Sequence, residues 1–260
     1  MKLYKIAALL YYDILVFKNS RWKIVEFVYF PVTTILIWGL FSLFVKDMAV
    51  EAGLVVLVVN IFWNFAYIAQ SSVNMQMNDD TWSGSLKQIL ITGITEFEYL
   101  TARVVFAILM SAAIMTIMLG ISLYMFNVTL IVTHASEVLT LSALTLFASL
   151  ALAVLLAAMI IAAGREYSFL AWSALQAFIL LSAPFYPVSI FPEPVQAVSR
   201  LMPFTSIFEA TRSLVSTGSV SSAVLTEGFL ITVAYAVFSL LAYKIVFHRA
   251  RKTGGLVRLT

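Results

Sequence analysis

Apolar residues run along this chain in long blocks, separated by short polar stretches. A helix that crosses a bilayer needs about 20 consecutive, mainly apolar residues. Six blocks meet that length, at about 27–45, 52–70, 100–126, 138–163, 168–186 and 225–247. The third and fourth exceed the minimum, which predicts tilt or projection beyond the bilayer. Pro184 and Pro187 interrupt the fifth, which is expected to end early and turn back. Ahead of the first block, Leu3, Ile6, Leu9, Leu10, Ile14 and Phe17 recur at helical spacing, punctuated by Lys2, Lys5, Asp13 and Lys18. This predicts an amphipathic helix over 2–18 lying in the interface plane, with Arg21, Trp22 and Lys23 at the water–lipid boundary.

Between the second and third blocks lies a patterned polar stretch, roughly Asn74 to Glu98. Asp79, Asp80, Thr81 and Ser83 are residue types that cap helix N-termini. Leu86, Ile89 and Leu90 follow at i, i+3, i+4 spacing, and Gly93 supplies a helix stop. The pattern predicts a short amphipathic helix at about 83–92. Thr95 and Glu98 form a capping box that opens the third span. Before the last block, Pro184, Pro187, Pro192 and Pro194 punctuate the chain; Val195, Val198, Leu201 and Met202 then recur at helical spacing until Pro203. A second short helix is expected over 205–215. Both are too short to span, which predicts a re-entrant segment at about 184–215 with its backbone satisfied inside the protein. Glu209 and Arg212, three residues apart, are expected to pair on one helix face.

Composition supports a membrane solvent. The 260 residues are 62% hydrophobic and 11% charged, with mean hydropathy +0.99, against about 25% charged in soluble domains. The expectation is an all-α integral membrane protein in a single domain over 1–260. Lysine and arginine placement orients it. With both termini in the cytoplasm, 13 of the 16 basic residues face inward, and Lys46, Arg200 and Arg212 face outward. The protein is therefore expected to be multi-pass in the cell membrane, and the first residues lack a signal-peptide cleavage pattern. The basic residues sit beside spans rather than in a stripe, so nucleic acid is not expected as a partner. The chain has no cysteine, and His134 and His248 fall at opposite ends of spans, so no metal site is expected.

No catalytic residues are expected. No phosphate-binding loop of the Gly-x-x-x-x-Gly-Lys-Ser/Thr type occurs, so ATP chemistry would have to come from a partner. No ionisable residue lies near the middle of a predicted span, which argues against an ion-coupled carrier. A secondary carrier or a membrane scaffold subunit remains the alternative class. Polar mid-span residues Asn60, Asn64 and Gln176 have two readings: hydrogen bonds between helices or back-bonding within a helix, or a translocation path shared with Trp38, Trp63, Tyr67 and Trp172.

Three features in order resemble the permease subunit of type-2 ABC exporters, over nearly the whole chain. They are the interfacial helix with Asp13 and Lys18 before a span containing Pro31, the stretch Asp80-Thr81-Trp82-Ser83-Gly84-Ser85-Leu86-Lys87-Gln88-Ile89-Leu90, and the loop from Phe191-Pro192 to Met202-Pro203-Phe204-Thr205 with Glu209 and Arg212. The chain departs from the family where Asn74, Gln76 and Asn78 stand in place of more arginine and glutamate. The resemblance implies two permease copies, as a homodimer, paired with two cytoplasmic ATPase subunits that use ATP and Mg; this chain binds no cofactor. Asp80, Thr81, Trp82, Ser83, Gly84, Ser85, Leu86, Lys87, Ile89 and Leu90 would belong to the coupling helix. Pro184, Pro187, Pro192, Pro203, Glu209 and Arg212 would shape the outer gate. The substrate implied is amphipathic, of lipid, glycan or drug type, and moves outward.

Overall fold

The computed structural model describes residues 2–45, 50–163 and 169–252, without the side chains of 170–172. Among them the chain forms eleven α-helices and no strand. In order they are α1 (Leu3–Asn19), α2 (Arg21–Val45), α3 (Val50–Trp82), α4 (Ser85–Ile91), α5 (Glu96–Phe126), α6 (Leu130–Thr133), α7 (Ala135–Ala163), α8 (Leu170–Leu181), α9 (Glu193–Arg200), α10 (Thr205–Thr217) and α11 (Ser222–Lys252). A 3₁₀ turn at Val188–Ile190 precedes α9.

Five of these, α2, α3, α5, α7 and α11, are long and apolar enough to cross a membrane. They match five of the six expected spans. The remaining one, expected at 168–186, is described only as α8. Its 12 residues rise about 18 Å, short of a bilayer's hydrocarbon core of about 30 Å. Lys46, Arg165, Arg258 and the Trp172 side chain lie outside the described residues.

The hub is α3, which packs against α2, α5, α7, α8 and α10, while α11 packs on α7 and α10. Phe62, Phe65, Ile114, Met118, Leu152, Ile179, Phe204 and Phe208 belong to one continuous core. Most of the apolar surface of α2 and α11 faces outward, as the absence of water from lipid permits. At Gly228 a Cβ would lie 2.8 Å from Ser206 Cβ, so glycine lets α11 approach α10.

The sequence pattern ends the second span near residue 70 and opens a new helix with Asp79, Asp80, Thr81 or Ser83 as its cap. The structure instead continues α3 to Trp82, about 50 Å in all. Polar residues in this extension find partners that keep them helical. Gln70 Nε2 donates to Asn74 Oδ1 (2.6 Å), and Asn74 Nδ2 donates to the Ala153 carbonyl on α7 (2.9 Å). Thr81 Oγ1 bonds back to Met77 O, and Ser83 Oγ to Asp79 O. The break falls at Gly84, whose φ of +74° is left-handed, and α4 carries no side-chain cap. Downstream, the expected chemistry is present: Gly93 has φ +72°, and Thr95 with Glu98 forms a reciprocal capping box.

At the opposite end, α9 and α10 are short helices between α8 and the last long helix. Thr205 Oγ1 donates to the Ser199 carbonyl at 2.5 Å and joins α9 to α10 across Pro203. Arg212 does not form the expected ion pair with Glu209. Its Nη1 donates to the carbonyls of Ala183 (2.6 Å) and Pro184 (3.1 Å). Ala183 has φ +49°, a conformation that turns its carbonyl into reach. Two buried backbone acceptors outcompete one half-exposed carboxylate for the fork of a guanidinium. Burial lowers the Arg212 pKa, and the Glu209 charge opposes that shift.

Candidate functional site

The salt bridges among the described residues all lie at the end of the bundle that carries α4. Arg103, on the first turns of α5, is fully buried and pairs with two acids from other helices, Asp13 of α1 and Asp80 of α3. Asp80 Oδ2 also accepts from the Tyr99 hydroxyl (2.7 Å), and Asp80 Oδ1 from Ser85 Oγ (3.0 Å) at the start of α4. The Arg103 guanidinium carbon stands 4.8 Å from the Tyr99 ring centroid. Asp13 Oδ2 and Arg103 Nε have no hydrogen-bond partner among the described residues. One cation thus holds two anions, and four helices meet at it.

Three further contacts fasten the same end. The Lys2 backbone N–H donates to Glu98 Oε1 (2.6 Å), while Lys5 Nζ donates to the Gly93 carbonyl (2.6 Å). Lys23 of α2 pairs with Asp79 of α3 at 2.5 Å. Beneath the charges lies a second apolar core, in which Ile6 and Leu9 of α1 and Leu86 of α4 join Tyr99, Tyr243 and Phe247. The short helix is therefore clamped on its inner face by an apolar residue and at its start by a hydroxyl bonded to a buried acid.

This divides the predicted coupling residues into two sets. Asp80 and Leu86 are buried, and Ser85 points into the ion-pair knot. Thr81, Gly84, Lys87, Ile89 and Leu90 are half-buried. Trp82 and Ser83 are exposed, and so are Gln88 and Ile91; Trp82 is 57% and Ile91 84% exposed.

Sequence reasoning counted Arg103 only among the inward-facing basic residues and Asp13 only as a polar position of the interfacial helix. A signal was present in the spacing. Ile6, Leu9 and Asp13 fall at i, i+3, i+7 on one buried helix face, and Tyr99 and Arg103 at i, i+4 on another. A charge on an apolar stripe needs a buried partner of opposite sign.

Of the predicted path residues, Trp38 and Trp63 meet around Phe185, with ring centroids 5.7 and 5.9 Å away. Asn64 and Asn60 bond to each other, and Thr34 Oγ1 of α2 donates to Asn64 Oδ1 at 3.1 Å. The Asn60–Asn64 bonds lie within α3, and the Thr34–Asn64 bond joins α2 to α3. Gln176 is exposed on α8, and Tyr67, one turn beyond Trp63 on α3, lines a cavity between α2 and α3. Pro184 and Pro203 are buried in the turns they shape, while Pro187 and Pro192 are exposed.

Five long apolar helices and a charged, helix-rich end define a multi-pass membrane protein of permease type. The family model described as ABC-2 type transporter matches residues 5–215. That match spans most of the chain, and the protein belongs to this family of ABC transporter membrane components, which work in the membrane with an ABC ATPase subunit. No curated protein matches the chain.

Proposed function

We propose that the protein is the permease half of an ATP-driven exporter and that α4 is its coupling helix. Both termini and α4 then face the cytoplasm, as the distribution of lysine and arginine favours. The observation that carries the reading is the pairing of opposites on α4. Its outer face presents Ile91 to solvent beside the exposed Trp82 at the tip of α3, and its inner face is fixed to α1, α3 and α5. An exposed tryptophan held next to a rigid, short helix is the anchor a partner cleft needs. The ATPase supplies ATP and Mg, and two permease copies form the pathway, the Trp38–Trp63–Phe185 cluster contributing an aromatic surface for an amphipathic lipid, glycan or drug-like substrate.

Trp82→Ala combined with Ile91→Ala is expected to weaken association with the ATPase subunit by about tenfold, the equivalent of about 1.4 kcal/mol. Copurification and permease-stimulated ATP hydrolysis both read the loss, and thermal stability stays near wild type because both side chains are exposed. Unchanged association and stimulation would remove α4 from the interface. Orientation has its own test. Cysteines at Ser83 and Ser189, both exposed and at opposite ends of the bundle, are expected to react with an impermeant maleimide from opposite sides of the membrane. Labelling of both from one side would overturn the topology.

A further inference from the structure

A cavity of about 320 Å³ opens beside the ion-pair knot, between the C-terminal end of α1, the first turns of α2, the last turns of α3 and one face of α5. That volume lies at the lower end of ligand-sized sites, about 300–1,000 Å³. Its lining changes character with depth. At the mouth stand Trp22, Lys23, Glu26 and Asp79; toward the bundle's middle stand Phe30, Tyr67 and Met110. Along α3, the 12 residues from Tyr67 to Asp79 span about 18 Å. Phe17 forms the back wall, edge-on to Phe27 (5.4 Å) and to Phe106 (6.2 Å). A groove that is charged at the interface and aromatic below it has the polarity profile of one lipid molecule standing in the leaflet.

The charges at the mouth specify the headgroup. Lys23 is already paired with Asp79 at 2.5 Å, and Glu26 has no ion pair among the described residues. The mouth therefore carries one surplus negative charge. An anionic headgroup meets two carboxylates and one ammonium. A zwitterionic one offers its ammonium to Glu26 and its phosphate to Lys23, with the Ser20 and Ser72 hydroxyls nearby. We propose that this groove is a binding site for a phospholipid with a zwitterionic, primary-ammonium headgroup, drawn from the leaflet at the α4 end. The site needs the membrane placement only. Its failure would leave ATPase docking on α4 untouched, and failure of that docking would leave the lipid site intact.

The experiment is native mass spectrometry of the purified full-length protein in detergent, with dioleoyl-phosphatidylethanolamine or dioleoyl-phosphatidylglycerol added at equal concentration. The wild type is expected to retain phosphatidylethanolamine at least about fivefold better than phosphatidylglycerol. Glu26→Gln, at an exposed position that tolerates the change, is expected to bring that ratio close to one. Met75→Trp fills the groove from its half-open side and is expected to reduce retention of both lipids several-fold. Leu109→Trp, on exposed surface outside the groove, is expected to leave retention unchanged. Equal retention of the two lipids by the wild type, or equal retention by Met75→Trp and Leu109→Trp, would show only a loosely held annular lipid and overturn the site.

Discussion

Replacing Arg103 with leucine is expected to cost about 3–5 kcal/mol of stability, because it strips the counter-charge from two buried carboxylates at once. Asp13 and Arg103 are fully buried and Asp80 nearly so, so water cannot compensate for the lost partner. The readout is the thermal midpoint of the purified protein in detergent, compared as a rank order among variants. Arg103→Lys is expected to fall between wild type and Arg103→Leu, since a single ammonium lacks the planar fork that reaches acids on two helices. The decisive variant removes all three charges together. With Asp13→Leu, Asp80→Leu and Arg103→Leu combined, no buried ion is left unpaired, and the midpoint is expected to recover most of the loss. Such a protein would still insert, yet α1, α3 and α5 would have lost the contact that fixes them to one another. If Arg103→Leu melts with the wild type, the knot does not hold that end of the bundle.

Arg212→Met is expected to cost about 2–3 kcal/mol, the worth of hydrogen bonds made by a charged donor to backbone acceptors that then go unmet. Here the argument runs through Ala183. Its left-handed backbone, φ +49°, is unfavourable for a residue with a side chain, and the Arg212 bonds at 2.6 and 3.1 Å hold it there. Ala183→Gly in the wild-type background is expected to stabilise by about 1 kcal/mol, because glycine enters that region freely. Placed on Arg212→Met, the same change is expected to recover part of the deficit, for without its clamp the strained turn is the weaker partner. The thermal midpoints of the four proteins form a double-mutant cycle that measures the coupling. Additivity within error would mean that the guanidinium and the turn act independently.

Hydropathy located the long helices well, because a bilayer penalises any break in an apolar run. It failed at ends decided by tertiary partners. Beyond Met75, Gln76 and Met77, little local in Ser71 to Asp80 favours continuing a helix: Asn78, Asp79 and Asp80 are cap and turn residues by propensity. The helix continues because Asn74 finds the Ala153 carbonyl and Asp80 finds Arg103, from distant parts of the chain. Capping was legible where it is a matter of three residues, as at Thr95 and Glu98. The Glu209–Arg212 pairing was read from spacing, and it lost to carbonyls nearly thirty residues away that spacing cannot see. For α4, the i, i+3, i+4 spacing of Leu86, Ile89 and Leu90 marked the face that packs inward, and Ile91, off that spacing, is the exposed one. What pattern did not supply is the hydroxyl of Ser85 bonded to the buried Asp80.

The uninterrupted length of α3 has a mechanical consequence. Trp82 lies 19 residues beyond Trp63, a lever arm of about 28 Å. A tilt of about 5° pivoting at Trp63 would sweep the tip through about 2.5 Å, several times the roughly 0.5 Å width of the window of about 2.7–3.2 Å within which a hydrogen bond keeps its geometry. The pair between Asp80 and Arg103 cannot stretch that far, so α5 must swing with α3 or the pair must part. Bolted at this point, the two rods behave as one beam, and an angular push delivered beside Trp82 reaches the tryptophans near the bundle's middle as rotation rather than being absorbed as bending.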